Sequence, residues 1–176
     1  MKQSEAWVLQ AKSDFAAAQA VFNDVDEPTY CQTIAKYQQV TEKSIKGMIA
    51  ALNEQGATNI YISTTQHKVY REMNELNSSR RDRLKSDDKK WVEQINGTLK
   101  RLEADIEWLS NLAPSGQKDG TFFKNTEYPF NDASPGGWTA PAAPGIYTSV
   151  DVTSAYNLAQ KLIRQADKFT SAMDRR

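Results

Sequence analysis

Four polar side chains, two of them lysines that can contact a phosphate group, lie together in the stretch 37–49. They are Gln39, Glu42, Lys43 and Lys46, and the stretch falls within a helix predicted from about 29 to about 55. Glu42 and Lys46 are four residues apart and can pair along the helix surface, which stabilises a helix by a few tenths of a kcal/mol. Lys43 and Lys46 point the same way, and a lysine ammonium is a point charge suited to phosphate. The alternative is a charged helix face in solvent.

Two further side chains are candidates for ligand contact. His67, the single histidine of the chain, lies in the first turn of a helix predicted over 65–77. It either orients that turn by hydrogen bonding or touches a ligand. Tyr128, or Tyr37 in the second helix, can stack on a nucleotide base.

Signatures of metal and cofactor chemistry are missing from the sequence. There is no Gly-rich phosphate loop, no GxSxG and no HExxH. One histidine and one cysteine cannot build a zinc site of the usual nitrogen and sulfur ligands. A di-metal carboxylate site needs a glutamate three residues before a histidine, and position 64 is threonine. We therefore predict no metal and no cofactor.

Two other features each have two interpretations. Cys31 stands near a predicted helix start, where it is either a small buried side chain or a favoured thiolate. The segment 80–90 carries six basic and three acidic residues. It is either a solvated connection, with Asp87 and Asp88 capping the next helix, or a phosphate-binding patch.

The elements that must position these side chains are helices. Apolar residues recur every three or four positions in the second helix, which predicts one buried face. That face consists of Ile34, Tyr37, Thr41 (by its methyl group), Ile45, Met48, Ile49 and Leu52. The first helix is predicted from an N-cap at Ser4 to about Asn23, and Gly56 is a natural end for the second. The stripe predicted for the first helix is Trp7, Ala11, Phe15, Ala18 and Phe22.

Two more helices follow the predicted 65–77 helix. A continuous apolar seam runs from Trp91 to Leu112 and predicts one long helix, in which Gly97 marks a close helix contact. The last helix is predicted from a cap at Asp151 to about Ser171. Because the early turns are short, the expected fold is an all-α, up-and-down bundle of about five helices.

Residues 114–149 form a long irregular loop before the last helix. This stretch holds five of the six prolines, five of the eight glycines and six aromatic residues. Disordered segments are poor in aromatic residues. We therefore predict that the loop folds over the bundle and buries its rings, with a functional lid as the alternative.

Composition indicates one domain over 1–176. The chain is long enough for one sizeable core and short for two. Its formal net charge is zero, so no global field draws it to nucleic acid or membrane. A single cysteine cannot form an internal disulfide, there is no long apolar run, and the first residues lack a signal-peptide core. These observations favour a cytoplasmic protein without a membrane span.

Four short patterns in order resemble the HEPN domain family. They are Trp7…Ala11-x-x-Asp14-x-x-x-Ala18, then Tyr30-Cys31 with Gln38-Gln39-Val40-x-Glu42-Lys43-x-x-Lys46-Gly47, then Thr64-Thr65-Gln66-His67-Lys68-Val69, and Asn125-Thr126-Glu127-Tyr128-Pro129 followed by Ala155-Tyr156-x-x-Ala159. The resemblance implies an up-and-down bundle, a homodimer, nucleotide or RNA binding, and a small nucleotidyltransferase as partner in a toxin–antitoxin-like pair. Many members are metal-independent ribonucleases that use an Arg-x(4–6)-His motif. No arginine precedes His67 at that spacing.

Three hypotheses follow. The first is a non-catalytic HEPN-type module that binds a nucleotide or a partner protein. The second is a metal-independent ribonuclease with a non-standard site, such as His67 with Arg71, where histidine acts as acid or base and arginine stabilises phosphorane charge. The third is a purely structural dimerisation module.

Overall fold

The computed structural model describes residues 1–23, 30–56, 59–62, 86–112, 126–127, 129–131 and 137–173. Five helices account for 78% of these residues, which confirms the all-α bundle. They are α1 (Gln3–Asn23), α2 (Tyr30–Glu54), α3 (Ser86–Arg101), α4 (Glu103–Asn111) and α5 (Ser149–Met173). The helix predicted over 65–77 lies outside the described residues. None of the five helices combines the length and apolar character that a membrane span requires.

Helix α2 lies at the centre of the bundle. The predicted apolar face is buried as expected, from Ile34 to Leu52. Burial also extends around the rest of the helix, because every residue from Val40 to Leu52 except Lys43 is buried. The predicted buried face is confirmed, and the alternative of a charged face in solvent is wrong for residues 40–52. A helix enclosed on all sides must bury whatever polar side chains it carries, and α2 carries several.

Helix α1 packs antiparallel against α2. The backbone N–H and the Oγ of Ser4 donate to the carboxylate of Glu54 at 2.9 and 2.6 Å, which joins the start of α1 to the end of α2. Ser4 lies inside α1 and is not its N-cap, contrary to the prediction. Closer to the middle of the interface, a Cβ added to Gly47 would lie 2.9 Å from Val8 Cγ2. Gly47 therefore sets how closely the two helices approach.

Three aromatic rings join α1, α2 and α5. Phe15, Tyr37 and Tyr156 lie with their centroids 5.5 to 5.8 Å apart in all three pairs. These are tilted and edge-to-face arrangements, which the ring quadrupole favours. The three rings therefore pack α1, α2 and α5 against one another at one level of the bundle.

The long helix predicted from Trp91 to Leu112 is broken in two. Leu102 forms a turn between α3 and α4, where its N–H donates to Leu99 O at 3.1 Å. The apolar seam still faces the core, since Ile95, Leu99, Ile106 and Leu109 are buried. The expectation for Gly97 was wrong: it is exposed, and nothing lies within 4 Å of an added Cβ.

The helix ends follow local chemistry. Gly56 has φ of 71° just after α2, as expected for a glycine that ends a helix. At the start of α5, Thr148 Oγ1 accepts from the N–H of Asp151 at 3.3 Å, and the N–H of Thr148 donates to Asp151 Oδ2 at 2.8 Å. This is a capping box. Thr148 is therefore the N-cap of α5, and Asp151 is the third residue of the helix. The prediction that Asp151 caps this helix was wrong.

The irregular loop is described in part. Phe130–Asn131 (β1) and Trp138–Thr139 (β2) pair antiparallel, with Phe130 opposite Thr139 and Asn131 opposite Trp138. Tyr147 is buried, as predicted for the aromatic residues of this loop, but Trp138 is 70% exposed. The ring of Trp138 therefore does not take part in the core.

Candidate functional site

The two lysines predicted to contact phosphate are held in ion pairs inside the α1–α2 interface. Lys43 Nζ donates to Asp14 Oδ2 of α1. Lys46 Nζ donates to Glu42 Oε1 at 2.5 Å and lies 5.0 Å from the centroid of the Trp7 ring. Lys46 is 0% exposed. The pair Glu42–Lys46 therefore forms as the four-residue spacing predicts, but it is buried and not at the helix surface.

These pairs follow from the central position of α2. A buried charge is costly unless it is paired and hydrogen-bonded. Asp14 also accepts from Gln10 Nε2 of its own helix at 3.3 Å, so its carboxylate has one partner in α1 and one, Lys43, in α2. The ring of Trp7 adds a cation–π contact to the enclosed ammonium of Lys46. In this cluster the two carboxylates compensate the charges of the two lysines inside the helix interface.

A cleft of about 440 Å³ lies along the first half of α2, on the side covered by the irregular loop. We call it the α2 cleft. Its walls are Cys31, Gln32, Ala35, Lys36 and Gln39 from α2, with Thr126, Glu127, Ala140, Pro141 and Ala142 from the loop. The cleft therefore contains one of the four predicted polar residues of α2, Gln39.

The polar wall of the α2 cleft is a single stripe of α2. Gln32, Lys36 and Gln39 are spaced by four and three residues, so they share one helix face. Lys36 Nζ donates to Gln39 Oε1 at 3.2 Å, which turns the amide nitrogen of Gln39 away from the ammonium. Gln32 and Lys36 are not among the site residues predicted from the sequence. The sequence feature that could have identified them is their spacing with Gln39, which places all three on the helix face opposite the apolar residues of α2.

The loop is fastened beside this cleft by Gln38 and Thr126. Gln38 Nε2 donates to Leu109 O at 2.6 Å, and Thr126 Oγ1 donates to Gln38 Oε1 at 2.9 Å. The N–H of Thr126 donates to Leu112 O at 3.1 Å. One α2 glutamine thus joins the end of α4 to the loop, and this sets the position of Glu127 at the cleft.

Cys31 lies on the floor of the α2 cleft as a small buried side chain. Burial raises the pKa of the Cys31 thiol above its ordinary value, and hydrogen bonds with the backbone of Gln32 and of Cys31 itself partly oppose this. The shift disfavours the thiolate, which is the nucleophilic form. The first of the two sequence interpretations, a buried small side chain, agrees with this placement.

Tyr37, the remaining sequence candidate among the described residues, does not line the cleft. Tyr37 points into the aromatic cluster, where burial and the nearby Tyr156 raise its pKa to about 12. His67 and Tyr128 lie outside the described residues, as does Arg71, so the ribonuclease hypothesis built on His67 stays a prediction. Most of the basic segment 80–90 also lies outside them. Within the described part of the chain, no group of three His, Cys, Asp or Glu side chains is placed to hold a metal ion.

Comparison with protein-family models, with curated proteins and with solved structures finds no match to this chain.

Proposed function

We propose that this protein is a non-catalytic, HEPN-type helical module that binds a nucleotide in the α2 cleft. The observation that supports it best is the composition of that cleft. The Lys36 ammonium and the Gln32 and Gln39 amides line one wall, and the apolar residues 140–142 line the other. A nucleotide likewise has a polar part and a less polar part, with a charged phosphate at one end and a flat base at the other.

The size of the cleft agrees with this ligand. Small-molecule sites in proteins commonly have volumes of about 300–1,000 Å³ and combine apolar walls with a few polar groups. At about 440 Å³, the α2 cleft lies in the lower part of that range. A nucleoside monophosphate is a better match than a dinucleotide.

The charge of the cleft favours few phosphates. Lys36 is its one lysine, and Glu127 brings a carboxylate to the opposite side. A single ammonium neutralises about one phosphate charge, and a nearby carboxylate repels a second. We therefore expect adenosine or guanosine monophosphate to bind more tightly than the corresponding triphosphate. The amides of Gln32 and Gln39 can both donate and accept, which suits base edges and ribose hydroxyls.

In this proposal Lys43 and Lys46 have a structural role. Moving either ammonium to a ligand would break an ion pair inside the α1–α2 interface. Removing one partner of a buried pair costs about 3–5 kcal/mol, which a single phosphate contact does not offset. The phosphate role that the sequence analysis gave to these lysines passes to Lys36, three residues before Gln39.

The module is proposed to act without catalysis, because the sequence lacks the Arg-x(4–6)-His motif. It is also proposed to form a homodimer and to pair with a small nucleotidyltransferase. The exposed Trp138 and Val150 support a protein contact, since large apolar side chains at surfaces are enriched in interfaces. A cytoplasmic location suits a chain with a single cysteine, which cannot form an internal disulfide.

Isothermal titration of the purified protein with AMP, GMP, ATP and RNA tests the proposal. Lys36→Met should weaken AMP binding about five- to thirty-fold, as expected for the loss of a charged hydrogen bond. The matched control is Lys161→Met, because Lys161 is an exposed lysine of α5 that does not line the cleft. Lys161→Met should bind AMP like the parent protein.

Two results would overturn nucleotide binding in this cleft. One is the absence of both heat and thermal shift with every nucleotide. The other is equal AMP affinity for Lys36→Met and Lys161→Met. Light scattering on a gel-filtration column tests the dimer separately, and a monomer at micromolar concentration contradicts it.

A further inference from the structure

A second pocket, of about 240 Å³, lies between α2, α3 and α5 on another part of the bundle. We call it the α3–α5 pocket. Its floor is apolar and consists of Met48, Ile95 and Phe169, which are all buried. Its rim is formed by Gln94 and Thr98 of α3 and by Gln165, Lys168 and Ala172 of α5. No residue of the α3–α5 pocket lines the α2 cleft.

The charge around this pocket is positive. Lys168 lines it, and no acidic side chain does. Within the described part of the chain, no ion pair engages Lys168. The neighbouring acid in sequence, Asp167, accepts instead from Lys12 of α1 at 2.5 Å. The helix-surface neighbours of Lys168 three and four residues away include Arg164 and no carboxylate.

The α3 side adds a second cation near the rim. Arg101 Nη2 donates to Thr98 Oγ1 at 3.3 Å, so the guanidinium contacts one residue of the rim, although Arg101 does not itself line the pocket. Thr98 Oγ1 itself donates to Gln94 O at 3.0 Å, so its hydrogen is already used. Glu93 is the nearest acid in sequence on this helix and is not part of the lining. Lys168 is therefore the cation that lines the pocket, and Arg101 contacts its rim from α3.

We propose that the α3–α5 pocket binds a small amphipathic carboxylate, with its hydrocarbon body on the apolar floor and its carboxylate at Lys168. A volume of about 240 Å³ has room for about eight water-sized groups. This matches a chain of about eight carbon atoms. The apolar floor supplies the affinity of the hydrocarbon, and the rim distinguishes an anion from a neutral head group.

Titration with three probes separates the two parts of this site. Octanoate carries both the body and the charge, 1-octanol carries the body without charge, and acetate carries the charge without the body. Octanoate should bind most tightly, octanol more weakly, and acetate not at all in the millimolar range. Lys168→Met should weaken octanoate about three- to ten-fold and leave octanol unchanged.

Filling the pocket provides the second test. Ala172→Trp places a ring in the pocket from α5, and Gln94→Trp does so from the exposed side of α3. Either variant, with helicity confirmed by circular dichroism, should abolish binding of both octanoate and octanol. Using two variants on opposite walls keeps the test valid if one of them fails to fold.

The proposal is overturned if octanoate gives neither heat nor thermal shift, or if the folded filling variants bind it like the parent protein. It is also overturned if Lys168→Met and Lys161→Met bind octanoate equally. Lys36→Met should leave octanoate binding unchanged, so failure of this site and failure of the nucleotide site give different results.

Discussion

Lys46 donates to Glu42 at 2.5 Å, one helical turn away, at a position where its side chain is 0% exposed. The ammonium also lies over the ring of Trp7 from the neighbouring helix. Lysine is usually a surface residue, but Lys46 is part of the core because residues 40–52 of α2 are buried almost all round. The contribution of the Glu42–Lys46 pair to the free energy of unfolding can be measured.

Glu42→Leu should destabilise the protein by about 3–5 kcal/mol, because it removes the carboxylate that compensates a buried ammonium. The double variant Glu42→Leu/Lys46→Met should recover most of that loss, since an apolar pair of similar volume is tolerated in a core. Urea unfolding followed by circular dichroism measures both. Equal stability of the single and double variants would contradict the assigned pairing. Lys12→Met, which removes a half-exposed ion pair with Asp167, should change stability by less than about 1 kcal/mol.

Gly47→Ala in α2 and Gly97→Ala in α3 should change the free energy of unfolding in opposite directions. At Gly47 the new methyl group would lie 2.9 Å from the buried Val8 Cγ2, so α1 must move and the protein should lose about 1–3 kcal/mol. At Gly97 the methyl group meets open space, and alanine should stabilise the helix by up to about 1 kcal/mol. Thermal unfolding of the two variants side by side gives the comparison. A Gly47→Ala protein as stable as the parent would mean that the α1–α2 approach is wider.

Thr41 Oγ1 and Ser44 Oγ of α2 are buried and have no hydrogen-bond partner among the described residues. An unsatisfied buried hydroxyl costs about 1–3 kcal/mol of desolvation, so Ser44→Ala should stabilise the protein. Ser154→Ala is the matched control, because Ser154 is exposed within α5 and reports helix propensity alone. Ser44→Ala should raise the unfolding midpoint more than Ser154→Ala does. The reverse order would show that Ser44 Oγ has a partner in solution.

Alkaline pH should destabilise the protein through Tyr37. Burial, and then the neighbouring Tyr156, raise its pKa from 10.0 to about 12. The folded protein therefore keeps the phenol proton where the unfolded chain loses it. Below pH 10 the contribution is complete, and between about pH 10 and 12 stability falls, because the unfolded state binds fewer protons.

Tyr37→Phe keeps the ring contacts and removes the titrating group. Its stability should fall less steeply than that of the parent between pH 10 and 12, by about 2–3 kcal/mol over the interval. Tyr61→Phe is the control, since Tyr61 is 83% exposed. If the Tyr37→Phe and parent curves stay parallel over this range, the phenol is not the group that couples folding to alkaline pH.

Several features could be predicted from local sequence. The 3.6-residue period of α2 placed Ile34, Ile45 and Leu52 in the core, and the fold class followed from such stripes. Gly56 ended α2 as predicted, because a positive φ is a property of one residue. The spacing of Glu42 and Lys46 predicted their contact, since four residues make about one turn. Each of these depends on neighbours within a turn or two.

The environment of those residues depended on contacts distant in sequence. Lys43 pairs with Asp14, 29 residues earlier, and Tyr37 packs against both Phe15 and Tyr156. Periodicity shows which residues share a helix face, but it does not show how many helices surround that face. The sequence therefore determined the helices and the spacing of their polar groups. Only the tertiary structure decided that Lys46 is buried and that Lys36 faces a cleft, because burial is set by the packing of helices that are far apart along the chain.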